Sequence, residues 1–271
     1  MKIVPLVDIE AKEANFLLKD FLPIPERAVT LLSASGGMGK TRLSLIMADR
    51  FVRESDKRAT MWLTEDYEGQ VRATFDEMIK HNLVDSQSLN KIDLILDDPP
   101  QLAKREKGLF KANYDEINAI GEFLIKNNTG FAVFDPLLAF YGGNENDNSE
   151  ARVFIQSFAN WARHAEVTTL IIHHANKDGA SRGATAFHDG VRARYEVSPP
   201  LKEENGIVKI DEDSYKKGIR KITLRKDNWG VVKYLYKLTD GQDSIDKQLM
   251  PPLIKKEPEV TIFEMVDIPD I

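Results

Sequence analysis

Two hydrophobic periods alternate along this chain. Short apolar runs at 28–32, 59–64, 92–96, 130–135 and 167–172 have the length and composition of buried strands. Between them, 42–51, 67–81, 114–126 and 149–164 read as helices. Strands that alternate with helices of this length predict βαβ units, and therefore an α/β fold with a mainly parallel sheet covered on both faces. Beyond Arg192 the rhythm changes: 191–197, 218–224 and 231–238 read as strands joined by short turns, which predicts an antiparallel extension at the end of the sheet. Pro23 and Pro25 punctuate a lead-in segment, 101–111 reads as a charged excursion, and four prolines from Pro251 to Pro269 mark a tail. The division expected is a lead-in of 1–27, a core domain of 28–240 and a tail of 241–271.

Composition narrows the class. A chain of 271 residues can bury a sizeable core as one large domain. It holds no cysteine, which excludes disulfides, thiolate metal sites and a cysteine nucleophile, and suits a reducing compartment. The start has no signal-peptide pattern, and no apolar run has the length of a membrane span, so a cytoplasmic protein is expected. A net charge of -6 argues against blanket affinity for nucleic acid. The charge is uneven, however: residues 173–237 hold 14 basic against 9 acidic side chains, leaving -11 on the remainder. A local polyanion surface and an ordinary solvated face both fit that balance.

The chemistry begins at Ser35-Gly36-Gly37-Met38-Gly39-Lys40-Thr41-Arg42, set between a predicted strand and a predicted helix. A glycine-rich loop in that setting turns backbone N–H groups and a helix N-terminus toward phosphates, with Lys40 reaching the terminal oxygens and the Thr41 hydroxyl on Mg²⁺. Ala34 stands where the pattern G-x-x-x-x-G-K-[ST] has its first glycine. Asp135 ends an apolar strand and is the candidate metal partner. Glu65 and Asp66 end the strand after the loop's helix; Glu65 is the candidate general base, and Asp66 could cap the following helix. His173 and His174 end a further strand, where adjacent residues point to opposite faces, so one of them should meet the nucleotide. A protein-held metal at the histidines is not expected, because no third ligand accompanies them at local spacing.

The loop, with Leu63-Thr64-Glu65-Asp66, Phe134-Asp135-Pro136, His173-His174-Ala175-Asn176-Lys177 and Arg182-Gly183-Ala184, resembles the RepA branch of the RecA/DnaB superfamily, over roughly residues 21–238. Its members are hexameric replicative helicases of plasmids and phages. The resemblance implies a RecA-like core, ATP with Mg²⁺, and active sites shared between subunits of a homo-oligomeric, hexameric ring. By position it makes Glu65 the catalytic glutamate, Asp135 the Walker B acid and His174 the γ-phosphate sensor, with His173 structural. It also implies a cation donated to the neighbour's ATP: Lys226 first, Arg225 second, with an exposed hairpin of ordinary surface charges as the alternative.

Single-stranded DNA is the implied partner, and a replication initiator or primase a further one. Of the two candidate DNA loops, 139–148 carries no cation and reads as a polar lid or subunit contact. The second, with Lys177 and Arg182 and extended by Arg192 and Arg194, is the stronger candidate. Arg182 could equally brace a subunit interface. No primase-like or zinc-binding region is seen, so a fused primase-helicase is not expected. The leading expectation is an ATP-driven motor on single-stranded DNA. The alternative is a nucleotide-controlled DNA-binding regulator or filament protein that does not unwind.

Overall fold

A computed structural model describes residues 3–174 and 184–250. Eight strands form the central sheet: β1 (Val29–Ala34), β2 (Arg58–Leu63), β3 (Ile92–Leu94), β4 (Thr129–Asp135), β5 (Thr168–His174), β6 (Ala193–Ser198), β7 (Ile219–Asp227) and β8 (Ser244–Gln248). Across the sheet they run β3-β2-β4-β5-β1-β6-β7-β8. The first six are parallel; β7 and β8 continue antiparallel.

Both faces are covered, which is why the strands read as continuous apolar runs rather than alternating ones. On β1, Leu32 and Ala34 pack toward α1 (Lys40–Glu54) and α2 (Glu68–Lys80), while Val29 and Leu31 pack toward α3 (Tyr114–Lys126) and α4 (Asn148–His164). The second face is dominated by rings: Phe134 meets Phe140, Phe158 and Trp161 edge-on, at centroid distances of 5.0–6.2 Å. Such contacts add to the burial of large apolar area and fix how the helices sit. A short helix, α5 (Thr185–Gly190), leads into β6. Among the described residues, no helix is long and apolar enough to cross a membrane.

Several expectations from sequence change. The segment 231–238 is not a strand but a helix, α6 (Val232–Thr239). Its β-branched and aromatic residues favour a strand locally, but Asp227 settles the matter. The Asp227 carboxylate accepts the N–H groups of Trp229 at 3.0 Å and Gly230 at 2.8 Å in the turn before the helix, and that of Val232 at 2.9 Å, an orphan donor of its first residue, so the chain is turned into a helix there. Leu235 and Val231 then drop into the core.

The strand read at 191–197 belongs to the parallel part, because β6 lies beside β1 and only its other edge takes the antiparallel β7. The excursion at 101–111 is an ordered hairpin of Ala103–Glu106 and Leu109–Ala112, joined in parallel to Tyr141–Gly142. A further hairpin, Leu201–Glu204 with Ile207–Ile210, stands exposed between β6 and β7.

The core also runs past both expected domain boundaries. β8 and the buried Leu249 fall in the expected tail. At the other end Phe16, Leu18, Phe21, Leu22 and Ile24 are buried against α1 and its neighbours. Tyr195 of β6 holds this lead-in segment, its buried hydroxyl donating to the Pro23 carbonyl at 2.6 Å. Removing that hydroxyl leaves the carbonyl without its donor. Tyr195→Phe is therefore expected to lower the free energy of unfolding by about 1–2 kcal/mol, seen as a lower denaturation midpoint at unchanged m-value.

Candidate nucleotide site

Ala34, Leu63, Asp135 and His174 are the last residues of β1, β2, β4 and β5, so four parallel strands end side by side at one edge of the sheet. Register makes this close: Leu63 lies opposite Asp135, and His174 opposite Ala34. Ligands of open parallel sheets sit beyond such an edge. Here it opens into a cleft of about 340 Å³, lined by the loop glycines Gly36, Gly37 and Gly39 together with Lys40, Thr41, Glu65, Asp135 and His174.

The loop's backbone explains its composition. Gly37 and Gly39 have φ of +73° and +87°, in the left-handed region that other residues avoid, and Gly39 is the N-cap of α1. Ala34 is different. It is the extended last residue of β1 and not among the positive-φ positions, so nothing there requires glycine. Lys40 is buried and donates to the carbonyls of Ala34 at 3.1 Å and Ser35 at 3.0 Å, folding the loop around its own ammonium. Burial lowers the Lys40 pKa, opposed by the charges of Asp135 and Glu65. Met38 packs on the core, and the Arg42 guanidinium pairs with Glu77 of α2 at 2.5 Å, tying the start of α1 to its neighbour.

Asp135 is buried at the floor of the cleft. Its Oδ2 accepts from the Thr41 hydroxyl at 3.2 Å, whereas its Oδ1 is buried without a hydrogen-bond partner. Burial, then the nearby charge of Glu65, raises its pKa to about 6; the Thr41 hydrogen bond and Lys40 act against the shift. An unsatisfied carboxylate oxygen beside a threonine hydroxyl is the hard oxygen donor set that suits Mg²⁺, and Thr41 and Asp135 can hold it.

Glu65 and His174 meet above this floor, with Nε2 of His174 at 3.1 Å from Oε1 of Glu65. One donor atom each from Glu65, Asp135 and His174 lie within 4.8 Å of one another. Candidate donors beside the histidine are thus brought by neighbouring strands rather than by local spacing. His173, by contrast, is buried on the other side of β5, its ring 5.7 Å from that of Phe187 and 5.9 Å from that of His188.

Other candidate positions are distributed differently from expectation. Asp66 does not cap α2; the N-cap is Tyr67 without a side-chain bond, and Asp66 lines the cleft, where its charge helps raise the Asp135 pKa. Gln70, Thr74 and Met250 also line the cleft. Gln70 and Thr74 follow Asp66 at successive steps of four, a helical spacing that could have shown them; Met250, far along the chain, left no local signal.

Lys177 and Arg182 lie outside the described residues. Arg192 and Arg194 sit at the start of β6, at the sheet edge opposite the phosphate loop. Lys226 and Arg225 are there too, with Lys226 directly across from Arg194. The Lys226 ammonium donates to the carbonyls of His188 at 3.1 Å and Asp189 at 2.5 Å, while Arg225 makes a two-pronged bond with Glu196, both arms 3.1 Å. Arg192 lies 5.4 Å over the Trp229 ring. A larger hollow of about 580 Å³ opens at this edge, beside the N-terminal segment, but the phosphate loop does not line it.

The raised Asp135 pKa has a consequence for stability. A carboxyl that titrates near 6 in the fold and near 3.8 when unfolded favours the protonated fold. Its penalty is absent below about pH 3.8 and complete above about pH 6. Asp135→Asn should consequently stabilise the nucleotide-free protein by roughly 1–3 kcal/mol at pH 7–8 in chemical denaturation, with the gain vanishing toward pH 4. The same variant should lose Mg²⁺-dependent nucleotide binding. Destabilisation at neutral pH would contradict the assigned electrostatics.

Comparison with known proteins agrees with this geometry. A solved structure described as an ATPase domain shares the fold, with a TM-score of 0.53 at 14% identity over 74% of this chain and 78% of that one. No curated protein sequence matches. A family model described as an AAA domain matches residues 9–180, which takes in the phosphate loop, both strand-end carboxylates and His174. Carried on a RecA-like sheet, this chain belongs to the AAA-domain family.

Proposed function

We propose that the chain is an ATP-driven, ring-forming motor on single-stranded DNA, a replicative helicase of the RepA-like branch. One observation carries the reading: the candidate nucleotide-site residues and the candidate finger cations lie at opposite edges of one sheet. The phosphate loop, Thr41, Asp135, Glu65 and His174 occupy the edge where the parallel strands end. Lys226 and Arg225 occupy the other, because β7 runs antiparallel. From Thr30 to Ala34 alone the sheet spans about 13 Å, so neither cation serves its own subunit's phosphates. A head-to-tail ring brings the second edge of each subunit to the first edge of the next.

In this reading Ser35 to Arg42 cradle the ATP phosphates, and Thr41 with Asp135 hold Mg²⁺, which neutralises charge on the β and γ oxygens when bound. Glu65 orients the attacking water and takes its proton. His174, hydrogen-bonded to Glu65, holds the base in place and senses whether the γ-phosphate is present. The neighbour's Lys226, with Arg225 beside it, stabilises charge on the transferred phosphoryl group. Lys177 and Arg182 remain candidates for DNA contact, whereas Arg192 and Arg194 keep company with Lys226 and fit the subunit contact better.

Two inactive variants test the shared site. Glu65→Gln should lower turnover by about 10²–10⁴, and Lys226→Ala by about 10³ or more, with nucleotide binding kept in both. Mixed in equal amounts and allowed to exchange, they should recover roughly a quarter of the wild-type rate, since an intact Glu65 then meets an intact Lys226 at one interface in four of a heterologous ring. Full activity of Lys226→Ala alone, or silence of a mixed oligomer, would refute the arrangement. ATP-dependent strand displacement from a forked substrate separates the motor from a regulator that binds DNA without unwinding it.

A further inference from the structure

The hairpin of Ala103–Glu106 and Leu109–Ala112 carries four cations, Lys104, Arg105, Lys107 and Lys111, against one carboxylate, Glu106. This is an unusual concentration on a chain of net charge -6. Pairing decides which way they face. Arg105 lies opposite Phe110, and this face turns inward: the Phe110 ring packs 5.5 Å from Tyr141, and Arg105 pairs with the buried Glu150. Lys104 lies opposite Lys111, and both are exposed on the outer face, which they share with Leu109 and the hairpin's one carboxylate, Glu106. Lys107 stands at the tip, in the turn with Gly108.

Like charges directly opposite each other destabilise a strand pair. Among the described residues, the ammonium groups of Lys104, Lys107 and Lys111 have no ion pair or side-chain hydrogen bond that would offset this. The outer face is therefore built at a cost that an anionic ligand would remove. It also carries Leu109, 61% exposed beside the lysines, an apolar side chain available to a base between phosphate contacts.

The hairpin is held firmly at its root. Leu102 N–H donates to Phe140 at 2.9 Å, Asn113 N–H to Leu102 at 2.8 Å, and Ala103 and Lys104 pair with Tyr141 and Gly142. Gly142 is required for this approach, since a Cβ there would lie 2.9 Å from the Ala103 carbonyl oxygen and 2.6 Å from the Gln101 amide oxygen. The strand so joined begins six residues after Asp135. The segment 139–148, which has no cation of its own, thus receives a basic partner from elsewhere in the chain.

We propose that this hairpin is a phosphate-contacting surface for single-stranded DNA, with Lys104 and Lys111 as its central pair and Lys107 at its tip. The inference rests on the reading of the chain as a single-stranded DNA motor and adds a contact element to it. The placement ties DNA contact to the stretch that leaves the metal-binding carboxylate.

The test is the binding of labelled oligo(dT) by fluorescence anisotropy, over a range of salt, in the presence of a non-hydrolysable ATP analogue. Wild type, the double variant K104A/K111A and the charge-keeping K104R/K111R are measured side by side. The alanine variant should bind about tenfold or more weakly at moderate salt and reduce the slope of log K against log salt by about 1.4, two contacts at about 0.7 each. The arginine variant should keep affinity and slope. Unchanged binding by the alanine variant overturns the inference while leaving the single-stranded DNA reading intact. Equal loss in the arginine variant overturns it as well, since charge would not be the cause. Failure of the wild type to bind oligo(dT) overturns the underlying reading and the hairpin's role with it.

Discussion

The structure turns on a buried carboxylate at the floor of a cleft. Asp135 ends β4 between β2 and β5, with one oxygen bonded to Thr41 and the other left without a donor. Burying an acceptor in this way is costly, and the fold bears the cost at the point where a cation and phosphates would repay it. The flanking strands deliver Glu65 and His174 to within reach, and the loop after β1 adds Lys40 and Thr41. Without the parallel register across these four strands, the same residues would be scattered along 140 positions of chain, from Ser35 to His174.

That local character decides what was legible in the sequence. Ser35 to Arg42 could be read directly because glycines with positive φ, a buried lysine and a helix start are all short-range features. Asp135, Glu65 and His174 could be read because each closes an apolar run, and in a parallel sheet such closures gather at one edge. The helix at Val232–Thr239 was not legible from its own residues, whose β-branched and aromatic content favours a strand. Its start is set by Asp227, five residues earlier, in a sheet whose register that helix does not encode. Met250 was equally hidden, since only the pairing of β8 with β7 brings it to the cleft.

The division of charged groups between the two sheet edges follows from one reversal of chain direction. Seven of the eight strands run one way, the six parallel neighbours sending their C-terminal ends to the phosphate side; β7 alone runs back and carries Arg225 and Lys226 to the other. There both cations are already occupied, Lys226 by the last carbonyls of α5 and Arg225 by Glu196. Any anion they serve must compete with these internal partners, so engagement is an exchange of bonds rather than the filling of an empty position.

The far end of the described chain has a mechanical meaning. Leu249 and Met250 hydrogen-bond back to Gly218, and the Met250 side chain reaches the back of Gly39, the pivot from which α1 leaves the phosphate loop. β8 is an outer strand, bonded along one side only. Tension applied to the polypeptide past Met250 is therefore borne by the Gly218 bonds and the buried Leu249, and then by that single row of bonds; loss of these contacts would strip one wall from the cleft. An edge seam of the sheet and the phosphate loop are in series.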